Sequence, residues 1–341
     1  MSSQLVVNAR FLSQRVTGMQ RYAREILARL PSGSRLVEPG RPTNGMRGHL
    51  WEQSILPWKV GKGLLWSPCT TGPLAIRHQV VTIHDCAFVD QATCFSRSFA
   101  AWLNMLVPQL SRRVEKILTV SDYSRQRISE VCKVPLEKVV TVHNGVDSKF
   151  TPATEYAISV ARKALDLPEK YVLCVGSLEP RKNLRRLLAA WQSLAGRTQD
   201  HSLVIAGGAS HVFRDAGFDA LPENVKLAGY VSDEHLAAVY SGATAFVYPS
   251  LYEGFGLTVL EAMACGVPVV TSNTTSLPEV AGDAAILISP EETEAIAAGL
   301  LQLLEDSALR DRLIAKGLER VKQFTWDAAA QKTWQALSEV M

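Results

Sequence analysis

The chain has 341 residues, 47% of them apolar and 20% charged, with a net charge of +3. That length and apolar share suffice for two packed domains and exclude a disordered or fibrous chain, while so small a net charge gives no support to wholesale nucleic-acid binding. Six cysteines stand apart with no C-x-x-C pair, which reads as reduced, mostly buried thiols in a cytosolic protein rather than a disulfide framework.

In chain order, "MSSQLVVNARFL" holds a short strand-like run without the basic start and long apolar core of a secretion signal, so the expected location is the cytoplasm. "GMQRYAREILARL" predicts a helix, and "GLLWSP", "VVTIHD", "KILTVS" and "VVTVHNGVD" predict strands. The apolar stretch "FAAWLNMLVPQL" is interrupted by Asn104 and Pro108 and falls short of the roughly 20 residues a membrane span needs. A turn-rich, then helical segment, "SKFTPATEYAISVARKALDLPE", reads as a linker. Strands resume at "KYVLCVGSLEP", "SLVIAGG", "VKLAGYV", "AFVYPS", "VPVVTSN" and "AAILIS", and an aromatic-bearing segment from Phe324 predicts a terminal helix. This alternation predicts an α/β fold of two parallel sheets with a cleft between them, residues 1–165 forming one domain and 166–324 the other. Periodicity alone leaves open which domain receives the helix over 325–341.

In such sheets ligands collect at the carboxyl ends of strands, where loops run into helix N-termini. Four stretches occupy such places. In "VYPSLYEGFGLTVLEAMACGVPVV", a strand, a Gly-Phe-Gly loop and a helix set Glu253 in the loop and Glu261 about one turn into the helix, eight positions apart. Two solvated acids would be the ordinary reading, but Glu261 lies among Val259, Leu260, Ala262 and Met263, where an uncompensated carboxylate would be costly. Val259 stands where a dinucleotide fingerprint would need its third glycine, which weakens a hydride-transfer reading. In "GSLEPRKNLRRLLAAW", Arg181 and Lys182 sit at the start of a helix, where the dipole disfavours cations unless an anion joins them; a diphosphate would suit, and a basic surface turn is the alternative. Gly18, before a helix, either admits a phosphate or makes an ordinary turn. His84, at the end of "VVTIHD", is placed to exchange a proton or bond a sugar hydroxyl, or else serves as a structural partner. "HNGVD" reads as a structural turn. No D-x-D pair and no H-x-x-x-H cluster occurs, so no metal is inferred.

Taken together, "TGMQRY", "VVTIHD", "LTVSDYS", "TVHNGVD", "VGSLEPRKNL", "GYVSDEHLAAVY" and the stretch from Pro249 to Ile288 resemble the retaining glycosyltransferases of family 4, whose fold is GT-B, two Rossmann-like domains facing across a cleft. The resemblance implies a metal-independent hexosyltransferase whose donor is a nucleotide-diphosphate sugar, with no other cofactor. It would place Glu253 on the donor hexose with the backbone N–H groups of Phe255, Gly256 and Leu257, Glu261 on the ribose, and Arg181 and Lys182 on the diphosphate. It would also bring Gly18 to the diphosphate from the other domain, His84 to the transferred sugar and the acceptor, and Tyr230 and Val231 to the base. It implies retention of anomeric configuration by front-face attack, with Glu253 not a covalent nucleophile. "LWEQSILP" with the "IHD" strand is similar to bacterial enzymes of lipopolysaccharide and exopolysaccharide synthesis, which use mannose or rhamnose donors, and this favours a GDP-mannose-type donor and a glycan or polyprenyl-linked acceptor. A peripheral contact with the inner face of the cytoplasmic membrane would follow, and "CFSRSFAAWLNMLVPQLSRRVEK", residues 94–116, is the candidate helix, its alternative being a core helix with a basic end. The rival functions are a catalytically silent nucleotide-sugar-binding subunit and a same-fold epimerase or phosphorylase.

Overall fold

The computed structural model describes residues 4–14, 16–41, 45–198, 200–208, 221, 222 and 224–341. They divide into two compact units, residues 1–145 with 324–341, and residues 146–323. Each unit is built on a six-stranded sheet in which all pairings are parallel.

The N-terminal sheet comprises β1 (Leu5–Asn8), β2 (Arg35–Val37), β3 (Leu64–Ser67), β4 (Gln79–Thr82), β5 (Lys116–Thr119) and β6 (Val139–Thr141), in the order β2-β1-β3-β4-β5-β6. The C-terminal sheet comprises β7 (Tyr171–Val175), β8 (Ser202–Ala206), β9 (Val225–Gly229), β10 (Ala245–Tyr248), β11 (Val269–Ser272) and β12 (Ala285–Ile288), in the order β12-β11-β10-β7-β8-β9. β1, β3, β4 and β10 are buried at every residue. Helices on both faces of a parallel sheet leave no wet side, which is why the sequence shows continuous apolar runs rather than alternation. β2 escaped the sequence reading because three residues at a sheet edge, two of them exposed, carry almost no apolar signal.

Both sheets change direction once. In the first, β2 flanks β1 on one side and β3 on the other; in the second, β8 and β10 flank β7 in the same manner. The loops leaving β1 and β3, and those leaving β7 and β10, therefore diverge and open a crevice at their carboxyl ends.

The segment read as a linker folds into the second unit. Its helix Glu155–Ala164 packs on the helix Asp233–Ser241, Ile158 and Ala161 are buried, and the Ala153 N–H donates to Ser241 Oγ at 2.9 Å. The boundary at 145/146 therefore falls twenty residues before the one expected at 165/166. The terminal helix, Trp326–Ser338, packs on the helix Gly18–Leu27 of the first unit. Gly145, in the Asn-Gly turn, makes room for it, since a Cβ there would collide with the Trp326 backbone.

The helix Arg97–Arg113 is a core helix. Leu103, Val107 and Leu110 are buried in one cluster with Val81, Ile83 and Ile117, Phe99 and Trp102 pack on it, and Leu106 is buried too. The expectation that this helix presents its apolar side to a membrane is corrected accordingly: the sheet covers that side. No helix among the described residues is long and apolar enough to cross a membrane.

Candidate active site

In the second unit, β7 leads through a 3-10 turn, Pro180–Lys182, into the helix Leu184–Ser193, and β10 leads through residues 249–256 into the helix Leu257–Ala264. The two loops are stitched together. Asn183, in the left-handed region at φ 60°, donates its amide to the Pro249 and Pro290 carbonyls at 3.1 and 2.6 Å, and the Leu251 N–H donates to the Arg181 carbonyl at 2.8 Å. Gly256 permits the second turn: its φ is 113°, and a Cβ would stand 2.7 Å from Leu277 Cδ2. The helix that follows has no side-chain cap, so its first N–H groups keep their capacity to bind oxygen.

This stitching brings Arg181, Lys182 and Glu253 into one buried cluster. Glu253 Oε1 accepts from Lys182 Nζ at 2.5 Å, Ser250 Oγ at 2.6 Å and Tyr248 OH at 2.8 Å, while Oε2 accepts from Arg181 Nη1 at 3.0 Å. Arg181 Nε donates to Glu179 at 2.7 Å, and Lys182 Nζ also donates to the Tyr248 hydroxyl at 2.6 Å. The anion that cations at a helix start require is thus supplied from within the chain. Burial would push the Glu253 carboxyl up, yet Lys182 and Arg181 beside it and the donors on it hold it down at about 2. Burial pulls the Lys182 ammonium below the usual lysine range, with Glu253 opposing that pull and Arg181 adding to it. Arg181 is raised in spite of burial, by Glu253 and Glu179. The cluster is an ion-pair network in which each buried charge has a partner, the condition under which such charges are tolerated.

Glu261 is buried on the helix Leu257–Ala264 and accepts from the Tyr240 hydroxyl at 3.1 Å. Phe255 is buried, with Ser276 Oγ on its carbonyl at 2.8 Å, and Leu257 opens the helix. Tyr230 and Val231 follow β9, two strands from β7 and so roughly 10 Å across the sheet from the charged cluster; Tyr230 is 68% exposed and Val231 buried.

In the first unit, the loop after β4 holds His84. The imidazole Nε2 lies 2.9 Å from the Pro68 carbonyl, and because a carbonyl only accepts, Nε2 carries the hydrogen and Nδ1 keeps its lone pair. Burial pushes the imidazole down to about 4, against that bond. At neutral pH the ring is therefore uncharged, with Nε2–H donating to Pro68 and Nδ1 left to accept. Tyr22 meets its ring edge-on, 5.0 Å between centroids. Gly18 begins the helix that carries Tyr22, and a Cβ there would meet nothing within 4 Å. Neither backbone strain nor crowding explains that glycine.

The crevice of this unit also holds a charged cluster, one that the sequence reading did not single out. Glu52 accepts from Asn8 Nδ2 at 2.6 Å and from Thr71 Oγ1 at 2.7 Å; Arg10 Nη2 lies 3.8 Å from it and donates to Thr71 at 3.3 Å, and His49 Nδ1 lies 3.5 Å away. Its one trace in the sequence is an acid and a histidine flanking Leu50 and Trp51 in "GHLWEQ". Thr70 and Thr275, in the loops after β3 and β11, both adopt left-handed backbone, at φ 63° and 57°. That conformation costs a β-branched residue about 1–3 kcal/mol and is concentrated at functional loops. Thr275 Oγ1 accepts the Glu253 N–H at 3.3 Å, so the strained turn is tied to the charged cluster.

Two six-stranded parallel sheets, each with a charged cluster at its crevice, define a two-domain α/β protein. Residues 158–320 match the family described as glycosyl transferases group 1, and residues 64–150 match glycosyltransferase family 4. The O-antigen chain mannosyltransferase B of Escherichia coli is 36% identical over 267 residues, 76% of this chain and 70% of that protein. The serotype-specific mannosyltransferase WbdA of Escherichia coli is 30% identical over 224 residues, 63% of this chain and 27% of that much longer protein. Anabaena HepE in complex with UDP and glucose shares the fold, with a TM-score of 0.78 and 16% identity over 99% of this chain and all of that one. The chain belongs to the family-4, group 1 glycosyltransferases, and its fold is GT-B.

Proposed function

We propose that the protein is a retaining, metal-independent mannosyltransferase of bacterial surface-polysaccharide synthesis, taking a GDP-mannose-type donor and a glycan or polyprenyl-linked acceptor. The observation that carries the reading is the Arg181–Lys182–Glu253 network at the β7/β10 crevice. An incoming diphosphate would draw Arg181 and Lys182 to itself, and Glu253 would exchange its cations for hydroxyls of the hexose. The two cations supply the charge that a metal would otherwise bring to the leaving group, which supports metal independence. Glu253, with four donors on its oxygens, would be a poor nucleophile. The reaction then breaks the bond from C1 to the diphosphate oxygen and forms the bond from C1 to the acceptor oxygen on the same face, the acceptor proton passing to the departing diphosphate. Glu261 would hold the ribose and Tyr230 with Val231 the base, with backbone N–H groups of Phe255, Gly256 and Leu257 on sugar and phosphate. Gly18 and His84 would contribute from the first unit, His84 accepting a sugar hydroxyl at Nδ1. The names of the Escherichia coli relatives support mannose and O-antigen.

The purified protein incubated with GDP-mannose, a mannan acceptor and excess EDTA tests this. GDP release coupled to an α-mannosyl product is expected. A β-linked product would reject retention, and activity lost to EDTA would reject metal independence. Turnover without acceptor, or dependent on inorganic phosphate, would favour an epimerase or phosphorylase, and tight GDP-mannose binding without turnover a silent subunit.

A further inference from the structure

The loop that carries Glu253 belongs to no helix or strand, and neighbouring side chains satisfy its backbone instead. Thr271 Oγ1 donates to the Tyr248 carbonyl at 3.0 Å, Asn183 to that of Pro249 at 3.1 Å and Ser272 Oγ to that of Ser250 at 2.7 Å. Arg181 Nη1 donates to the Tyr252 carbonyl at 3.2 Å, and Ser276 Oγ lies 2.9 and 2.8 Å from the carbonyls of Glu253 and Phe255. Three of these donors are hydroxyls of one stretch, "TSNTTS" at 271–276, which ends β11 and turns into the helix Leu277–Ala281. Thr271, Ser272 and Ser276 are fully buried, so their bonds are made out of reach of water, where an unpaired carbonyl would be costly.

Thr275 belongs to the same stretch and differs in two respects. Its hydroxyl accepts, taking the Glu253 N–H at 3.3 Å, and it does so from a left-handed backbone with φ 57°. A β-branched side chain resists that conformation, whereas glycine adopts it freely. Strain of this kind persists only where the surroundings impose it, and the bond that a glycine could not make there is the one to Glu253.

Glu253 is thus held twice. Its carboxylate is bound by Lys182, Arg181, Tyr248 and Ser250, and the first two are the cations that an incoming diphosphate would claim. Its backbone is bound by Thr275 at the N–H and Ser276 at the carbonyl, both uncharged. Placement through the backbone survives an exchange of the cations; placement through the carboxylate alone would not.

We propose that Thr275 is a positioning residue of the donor site: its hydroxyl, delivered by the left-handed turn after β11, fixes the backbone of Glu253 so that the carboxylate keeps its place when Arg181 and Lys182 turn to the donor diphosphate. The inference rests on the reading of Glu253 as the group that takes the donor hexose, and it assigns Thr275 no contact with sugar or phosphate.

Three substitutions separate hydroxyl from backbone. Thr275→Val keeps the strained β-branched residue and loses the acceptor, Thr275→Gly loses both, and Thr275→Ser keeps the acceptor. With GDP-mannose and a mannan acceptor, the Val and Gly variants should each lower kcat about tenfold, the scale of a misplaced reacting group, while GDP binding in calorimetry stays within about twofold of the wild type; the Ser variant should restore kcat to within about twofold. Hydrogen exchange at the Glu253 amide should be several-fold faster in the Val and Gly variants and unchanged in the Ser variant. Wild-type kcat in the Val variant would overturn the proposal, as would a Gly variant as active as the wild type beside a slow Val variant, or a loss of GDP binding equal to the loss of rate. A wild type that transfers no mannose would fail the functional reading instead; the exchange measurement, which needs no turnover, then decides, and equal exchange in all four proteins would overturn the role of Thr275.

Discussion

The two crevices repeat one topology with opposite chemistry. At β7/β10 three charges, Arg181, Lys182 and Glu253, keep side-chain exposures of 21, 8 and 10%, and Glu179 beside them is 42% exposed. At β1/β3 the carboxylate of Glu52 is sealed to 1%, Arg10 to 9%, and nearby His84 is held neutral. The first cluster keeps part of its charge exposed; the second spends its hydrogen bonds on neighbouring side chains, Glu52 accepting from Asn8 and holding Thr71 in the segment whose Pro68 carbonyl orients His84. A charged cluster at a sheet crevice is thus not by itself a substrate site. Its residual exposure, and whether its partners could be exchanged for a ligand, separate the two cases.

Substitutions should pull the two apart. Lys182→Ala and Glu253→Gln should each lower transfer by about a hundredfold to a thousandfold, the scale of losing one group that stabilises transition-state charge. Circular dichroism should report an intact fold, and unchanged rates in either would remove that residue from the reaction. Glu52→Ala should act the other way round, costing about 3 kcal/mol of stability by leaving Arg10 buried without its carboxylate, read by denaturant melts, with a smaller effect on rate. A melt like the wild type, with transfer abolished, would move Glu52 into the substrate site.

His84 sharpens the contrast through pH. Its folded pKa lies at about 4, below the ordinary 6.5, so the unfolded chain binds the proton more readily, and this residue's contribution to stability falls as pH drops from about 6.5 to about 4. Its acceptor role should persist across that window, and the acid limb that His84→Asn removes from the rate profile should lie near 4; a limb near 6.5 would contradict the buried neutral ring. Tyr240→Phe, which takes the donor from Glu261, should weaken nucleotide binding only several-fold in calorimetry. The smallest change is expected for Thr70→Gly, which relieves the left-handed threonine and should stabilise the chain by about 1 kcal/mol; a loss of stability would mean that the Thr70 side chain contributes more than its backbone costs.

Much of this was legible in the chain itself. Continuous apolar runs announce buried parallel strands, and the glycine loop before Leu257 and the cations after "GSLEP" announce a strand-to-helix crevice, because local periodicity and turn chemistry are encoded residue by residue. Three things were not. That Lys182 and Glu253 are hydrogen-bonded to each other across 71 positions depends on β10 adding beside β7, and sheet order is a choice among distant segments. The helix Arg97–Arg113 and the pair Gly45–Ser54 and Leu56–Val60 both mix apolar and basic residues, yet the first buries Leu103, Leu106, Val107 and Leu110 and exposes Met105, while the second leaves Met46, Leu50, Ile55 and Trp58 in water. The protonation of His84 was decided by burial and one carbonyl, neither of which a sequence displays. Local sequence encodes most of the elements and the residue types at their ends, the short edge strand β2 excepted, since those follow from interactions a few residues long. Tertiary structure alone decided which charges neutralise one another and which apolar side chains remain uncovered, because both depend on what the fold brings within a few ångströms.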